Sequence, residues 1–135
     1  MSAFIDTNVL LYADDLDAGE KTPIARELLR ERLGQRSGVI STQVLQEFYV
    51  NATKKLGLDP AAAQARVELY GGLSVVLIDL ELVLAAIELH RLELISFWDA
   101  LIVRAAERAD CDVLYSEDLQ HGRRYGRLQV INPFA

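Results

Sequence analysis

Short apolar runs alternate with longer stretches of helical periodicity along the whole chain, and that alternation narrows the possible folds more than any other feature. Neighbouring parallel strands need a crossover, usually a helix, so strand–helix repetition points to an α/β domain with a parallel sheet. Five runs read as strands: Ala3-Phe4-Ile5, Val39-Ile40, Val75-Val76-Leu77-Ile78, Val113-Leu114-Tyr115, and Leu128 with Val130 and Ile131. Between them lie the helical segments. Thr22 is expected to cap a helix that starts at Pro23 and stops at Gly34. Ser41 or Thr42 is expected to cap a helix through roughly Lys55, with Val44, Leu45, Phe48 and Ala52 on its buried face. Asp59-Pro60 opens another helix, ended by Gly71-Gly72. Asp79 and Ser96 cap two more, and Asp99 at the third position after Ser96 has the form of a capping box.

Size and composition agree with one folded domain. The 135 residues contain no repeat, linker or low-complexity tract, so residues 1–135 are read as a single unit. Apolar residues make up 51% and charged residues 25%, which excludes a disordered tail. Twenty acids against fourteen bases give a net charge of −6, which excludes a basic nucleic-acid coat protein. A nucleic-acid enzyme stays open, because bound cations change local charge. The single cysteine, Cys111, excludes an internal disulfide framework and a Cys-rich zinc site. The chain opens directly into an apolar strand, with no signal-peptide pattern, and no apolar stretch has the ~18 residues a membrane span needs. A cytoplasmic protein that does not enter the membrane is the expectation.

Four carboxylates stand out by position. Asp6 directly follows the first strand, and Asp118 follows Tyr115 of the fourth by three residues. In an open parallel sheet the carboxyl ends of the strands share one edge, where ligands bind, so acids distant in sequence can meet there. Glu47 lies at the margin of its helix's apolar face. Asp99 is set among Phe97, Trp98, Ala100, Leu101 and Ile102. Each has an ordinary reading: Asp6 an Asx-turn, Glu47 a rim residue, Asp99 the capping-box acid, Asp118 a cap of the short segment after it. As a set without neighbouring bases they would repel one another, and a divalent cation relieves that repulsion. An all-oxygen site suits magnesium or manganese. Such a site supports phosphodiester hydrolysis, because a bound metal lowers the pKa of its water and neutralises phosphoryl charge.

The segments FIDTNVLLY, STQVLQEFY, ISFWDALIV and LYSEDLQHG resemble, in order and spacing, the four acidic motifs of PIN-domain ribonucleases, and most of all the VapC-type toxins of bacterial toxin–antitoxin pairs. The resemblance runs from Phe4 to the closing VINPF. It implies a three-layer α/β/α sandwich around a five-stranded parallel sheet. It implies Mg²⁺- or Mn²⁺-dependent endoribonuclease activity, with Asp6, Asp99, Asp118 and Glu47 at the metal. The fourth motif carries Ser116 where Thr is commoner, and Glu117 beside Asp118 leaves open which acid faces the metal; the motif register favours Asp118. Thr7, Asn8 and Ser116 are expected to hold the carboxylates in place. The implied partners are an RNA substrate, a cognate antitoxin protein and a second copy of the chain.

His121, Arg123, Arg124 and Arg127 form the densest basic cluster. They fit contacts to RNA phosphates and fit equally a solvated turn before the last strand. Cys111 reads as a buried small hydrophobe, and the Phe97-Trp98 pair as core first and part of an interface anchor second. The helix from Leu80 to Leu92 reads as core first and dimer surface second. Rival functions fit less well. An aspartate-nucleophile phosphotransferase needs a second acid two residues after the first, where Asn8 stands. A receiver-type domain needs a late lysine, and none follows Lys55. No nucleotide-binding glycine loop is present. The remaining rival is a catalytically degenerate PIN domain that binds RNA or protein without cutting.

Overall fold

A computed structural model covers residues 1–135. Its elements alternate as the sequence requires: β1 (Ala3–Ile5), α1 (Thr7–Asp14), α2 (Lys21–Gln35), β2 (Gly38–Ser41), α3 (Thr42–Lys54), α4 (Pro60–Tyr70), β3 (Ser74–Val76), α5 (Leu80–Glu93), α6 (Phe97–Arg108), β4 (Val113–Tyr115), β5 (Arg124–Tyr125) and β6 (Leu128–Ile131). The strands form one sheet in the order β3-β2-β1-β4-β6-β5. All pairings are parallel except β5 with β6.

The sheet therefore has six strands and not five. β5 is a two-residue antiparallel strand, paired Arg124 to Gln129 and Tyr125 to Leu128. It folds back through Gly126, whose φ of +61° is one that residues with a Cβ rarely adopt. With two residues and a polar composition, it carries no periodicity by which a strand could be recognised.

β1 lies in the middle of the sheet. Ala3, Phe4 and Ile5 are all fully buried. Successive strand side chains point to opposite faces, so helices must cover both sides, giving the α/β/α layering. α5 packs on α6, while α1 packs on both α2 and α3, and α3 on α4. Phe4, Phe48, Tyr70, Leu10, Ile40 and Leu114 are the large members of one continuous core.

Most helix starts follow their caps. Ser41 Oγ accepts the Val44 amide, Asp59 that of Ala62, Asp79 that of Leu82 and Ser96 that of Asp99. Two boundaries differ from expectation. α2 begins at Lys21, before Thr22, whose hydroxyl instead donates to the Asp15 carbonyl at 2.6 Å. It also continues past Gly34 to Gln35 and is capped by Arg36, which takes the left-handed conformation at φ 52°. The Arg32 side chain lies in the last turn, buried, where it bonds the Met1 carbonyl and the Ser37 and Tyr115 hydroxyls. Those tertiary contacts hold the final turn in place.

Candidate active site

The chain leaves β1 and builds first towards β2 and β3, then crosses back to β4 and β6 on the other side. The order reverses between β1 and β4, and at such a switch point the loops diverge and leave a crevice above the carboxyl ends. Asp6 ends β1 and Ser116 follows β4, so both lie at that crevice.

Asp6 is the N-cap of α1. Its Oδ1 accepts the Thr7 amide at 2.7 Å and its Oδ2 the Ser116 hydroxyl at 2.8 Å. The same Ser116 oxygen accepts the Asp118 amide at 3.1 Å, so one hydroxyl ties the two acidic segments together. Thr7 donates its hydroxyl to Glu47 Oε1 at 2.7 Å, joining α1 to α3. Asn8 presents its amide to both Asp118 oxygens at 3.2 Å. Thr7, Asn8 and Ser116 thus each donate a hydrogen bond to one or more of these carboxylates.

Asp6, Glu47, Asp99 and Asp118 line one small cavity of about 110 Å³, together with Thr7, Asn8, Gln43, Asn51, Trp98 and Ile102. No lysine, arginine, histidine or cysteine is among these residues. Asp99 caps only from its backbone: its amide bonds Ser96, while its carboxylate makes no hydrogen bond back, so the second half of the expected capping box is not formed. The acids surround the cavity without closing into a ligand shell of three or more. Asp6, Glu47 and Asp118 face protein hydrogen-bond donors.

The field in the cavity is strongly negative. Burial pushes the Asp6 carboxyl up to about 7, against the bonds from Ser116 and Thr7, and the charges of Asp118 and Glu47 push the same way. Asp118 is also raised, first by desolvation and then by Asp99, Glu117 and Glu47. A cation in the cavity would reverse both shifts. The donor set is oxygen only, so these residues fit a hard divalent cation.

Glu117 points elsewhere. It accepts the Tyr12 hydroxyl and pairs with Lys21 at 2.9 Å, and it does not line the cavity. Both acids lie in the bend after β4, and their partners separate them: Tyr12 and Lys21 hold Glu117, while Asn8 and Ser116 hold Asp118. The Lys21–Tyr12–Glu117 group anchors the segment after β4 to α1 and to the first turn of α2.

None of the basic cluster lines the cavity. Arg123 pairs with Glu93 and stacks on the Tyr125 ring, while Arg127 lies by Asp110 and Asp112. Arg124 is exposed, and its guanidinium meets only the Gln129 amide oxygen, at 3.4 Å. His121 Nδ1 accepts the Asn132 amide.

Gln43, Asn51 and Trp98 line the cavity although sequence reading did not place them there, and Ile102 was read only as core. Gln43 is buried and donates to the Trp98 carbonyl at 3.2 Å; its place one turn before Glu47 on the same helix face was the available signal. Trp98, read as core, is 61% exposed. By spacing it shares a helix face with Leu101, Ile102 and Ala105, but it stands in the first turn of α6, where that face ends at the cavity wall. Cys111 is buried as expected.

A parallel α/β sheet with an acid-lined cavity at its switch point defines a class of domain that binds ligands at its carboxyl edge. Within that class the chain belongs to the PIN domain family, whose profile matches residues 3–126. Solved structures share the fold. The VapC20 toxin of Mycobacterium tuberculosis, described as a Sarcin-Ricin loop cleaving toxin, superposes with a TM-score of 0.71 at 22% identity, over 85% of this chain and 88% of that one. A toxin–antitoxin complex from Klebsiella pneumoniae gives 0.71 at 20% identity, over 98% of each chain. VapBC2 from Rickettsia felis, bound to a DNA fragment from its promoter, gives 0.69 at 20% identity, over 96% and 97%. No curated protein matches the sequence.

Proposed function

We propose that this protein is a Mg²⁺- or Mn²⁺-dependent endoribonuclease and the toxin of a type II toxin–antitoxin pair. The observation that carries the reading is the cavity itself: four acids from four separate segments line it, and no basic side chain answers them. The structural likeness to VapC toxins supports the toxin assignment.

On this reading Asp6, Asp99, Asp118 and Glu47 hold the cation, directly or through water. When bound, the cation lowers the pKa of a water and neutralises charge on the phosphoryl oxygens. Thr7 and Ser116 hold Asp6 and Glu47 in fixed orientation, and Asn8 keeps Asp118 turned inward. Glu47, freed of its Thr7 bond or sharing it, serves as a ligand or as the base that orients the attacking water. Arg124, and the rest of the cluster with Arg123, Arg127 and His121, contacts RNA phosphates away from the acidic wall.

The protein works in the cytoplasm; no helix is long and apolar enough to cross a membrane. An antitoxin protein blocks the cavity. A second copy covers the apolar face of α5, where Leu80, Leu84 and Ile87 are exposed.

Cleavage of total RNA is measured with Mg²⁺ or Mn²⁺ and with EDTA. Cutting that EDTA stops and that Asp6→Asn abolishes is the expected result. Binding of RNA with no metal-dependent cutting would instead make the chain a degenerate binding module.

A further inference from the structure

Trp98 is the only tryptophan in the chain, and its indole stays in water while Phe97 before it is half-buried and Ala100 to Val103 after it are core. It is the second residue of α6, immediately before Asp99, and it forms part of the wall of the acidic cavity. Two contacts fix it. The Phe97 ring stands edge to face with the indole, centroids 5.1 Å apart. The buried Gln43 amide grips the Trp98 carbonyl. The backbone is held from α3 while the ring remains 61% exposed.

An exposed indole leaves one of the largest apolar side-chain surfaces in water, and here it does so beside carboxylates. An apolar protein surface pressed onto this wall, with no cationic side chain to answer the acids, would strip water from Asp99 and Asp118 at a cost in desolvation. An unpaired nucleobase meets the wall differently. Its flat face stacks on the ring, and the amino and imino hydrogens on its edge face an acceptor-rich rim. RNA offers such splayed bases in loops and single strands.

We propose that Trp98 is a stacking platform for an unpaired nucleobase of the substrate, placed so that the strand enters the acidic cavity in register. The inference rests on the ribonuclease reading above and adds to it a positioning residue that would hold an unpaired base of the substrate. Every base has a π-face, so the platform selects for unpaired structure more than for sequence.

Because Trp98 is the sole tryptophan, its emission reports directly on the proposed contact. The Asp6→Asn chain in Mg²⁺ is titrated with a short oligoadenylate and with an abasic strand of equal length. Emission is followed, and the anisotropy of a dye on each strand is read in parallel. Stacking requires quenching by the oligoadenylate and none by the abasic strand. Trp98→Ala is expected to weaken oligoadenylate binding by about tenfold to a hundredfold, to leave abasic binding unchanged, and to be largely rescued by Trp98→Phe. Oligoadenylate binding with constant emission, or with full affinity in Trp98→Ala, overturns the platform and leaves the nuclease reading standing. If neither strand binds and the wild-type chain cuts no RNA, both readings fall together. A Trp98→Ala chain that turns from dimer to monomer with unchanged oligoadenylate affinity assigns the indole to a contact between copies instead.

Discussion

Asp6 shows how one carboxylate takes opposite characters from its backbone and from its surroundings. As the N-cap of α1 it accepts the Thr7 amide, an interaction that favours its charged form. Burial and the nearby Asp118 and Glu47 oppose ionisation and win, raising the group from 3.8 to about 7. The consequence for stability has a definite sign. Without metal, between those two values the folded chain keeps a proton that the unfolded chain has lost, so stability falls as pH rises through the window and levels off above about 7. Thermal denaturation in EDTA is expected to show this fall, and Asp6→Asn to remove most of it, leaving the smaller contribution of Asp118, which has the same sign. A melting temperature that climbs across the window in the wild-type chain would contradict the burial argument. Cys111 gives a second residue-level expectation. Burial, with Asp112 and Asp110, pushes its thiol up to about 11, so a thiol-reactive dye should label it only after denaturant is added.

At the scale of elements, the site depends on how four starts and stops are fixed. α3 carries Glu47 and Gln43 and is started by Ser41, fully buried at the end of β2. Ser41→Ala leaves the Val44 amide without its acceptor and is expected to cost about 1 kcal/mol of unfolding free energy in a denaturant titration. The segment after β4 is held differently, by Glu117 bonded to Tyr12 and Lys21 on one side and Asp118 bonded to Asn8 on the other. Of the two adjacent acids, Glu117 is the anchor and Asp118 lines the cavity. Sequence reading found the cap residues because capping is local, a side chain bonding an amide two or three positions on. It misplaced the limits of α2, because Thr22 and Arg32 take tertiary partners that propensity does not see.

At the scale of the whole molecule, the topology turns a sequence of separate acids into a cavity. β1 lies between β2 and β4, and only that order puts residues 6 and 116 within a hydrogen bond of each other. The same packing leaves α5 with an apolar outer face, including Leu80 at 72% and Leu84 at 55% exposure. If a second copy covers that face, Leu84→Glu is expected to convert a dimer to a monomer in sedimentation without unfolding the chain. A variant that still sediments as the wild-type chain does would remove α5 from the interface.

The sequence by itself determined the α/β alternation, the caps and the four acids, since these follow from local periodicity and from residue chemistry that is the same in any context. Tertiary structure alone decided that Gln43 and Trp98 join the cavity wall, that Glu117 leaves it, that the arginine cluster stays off it, and that a sixth strand forms. Each of these depends on which distant groups come within a few ångströms, and no period or composition in the chain encodes such distances.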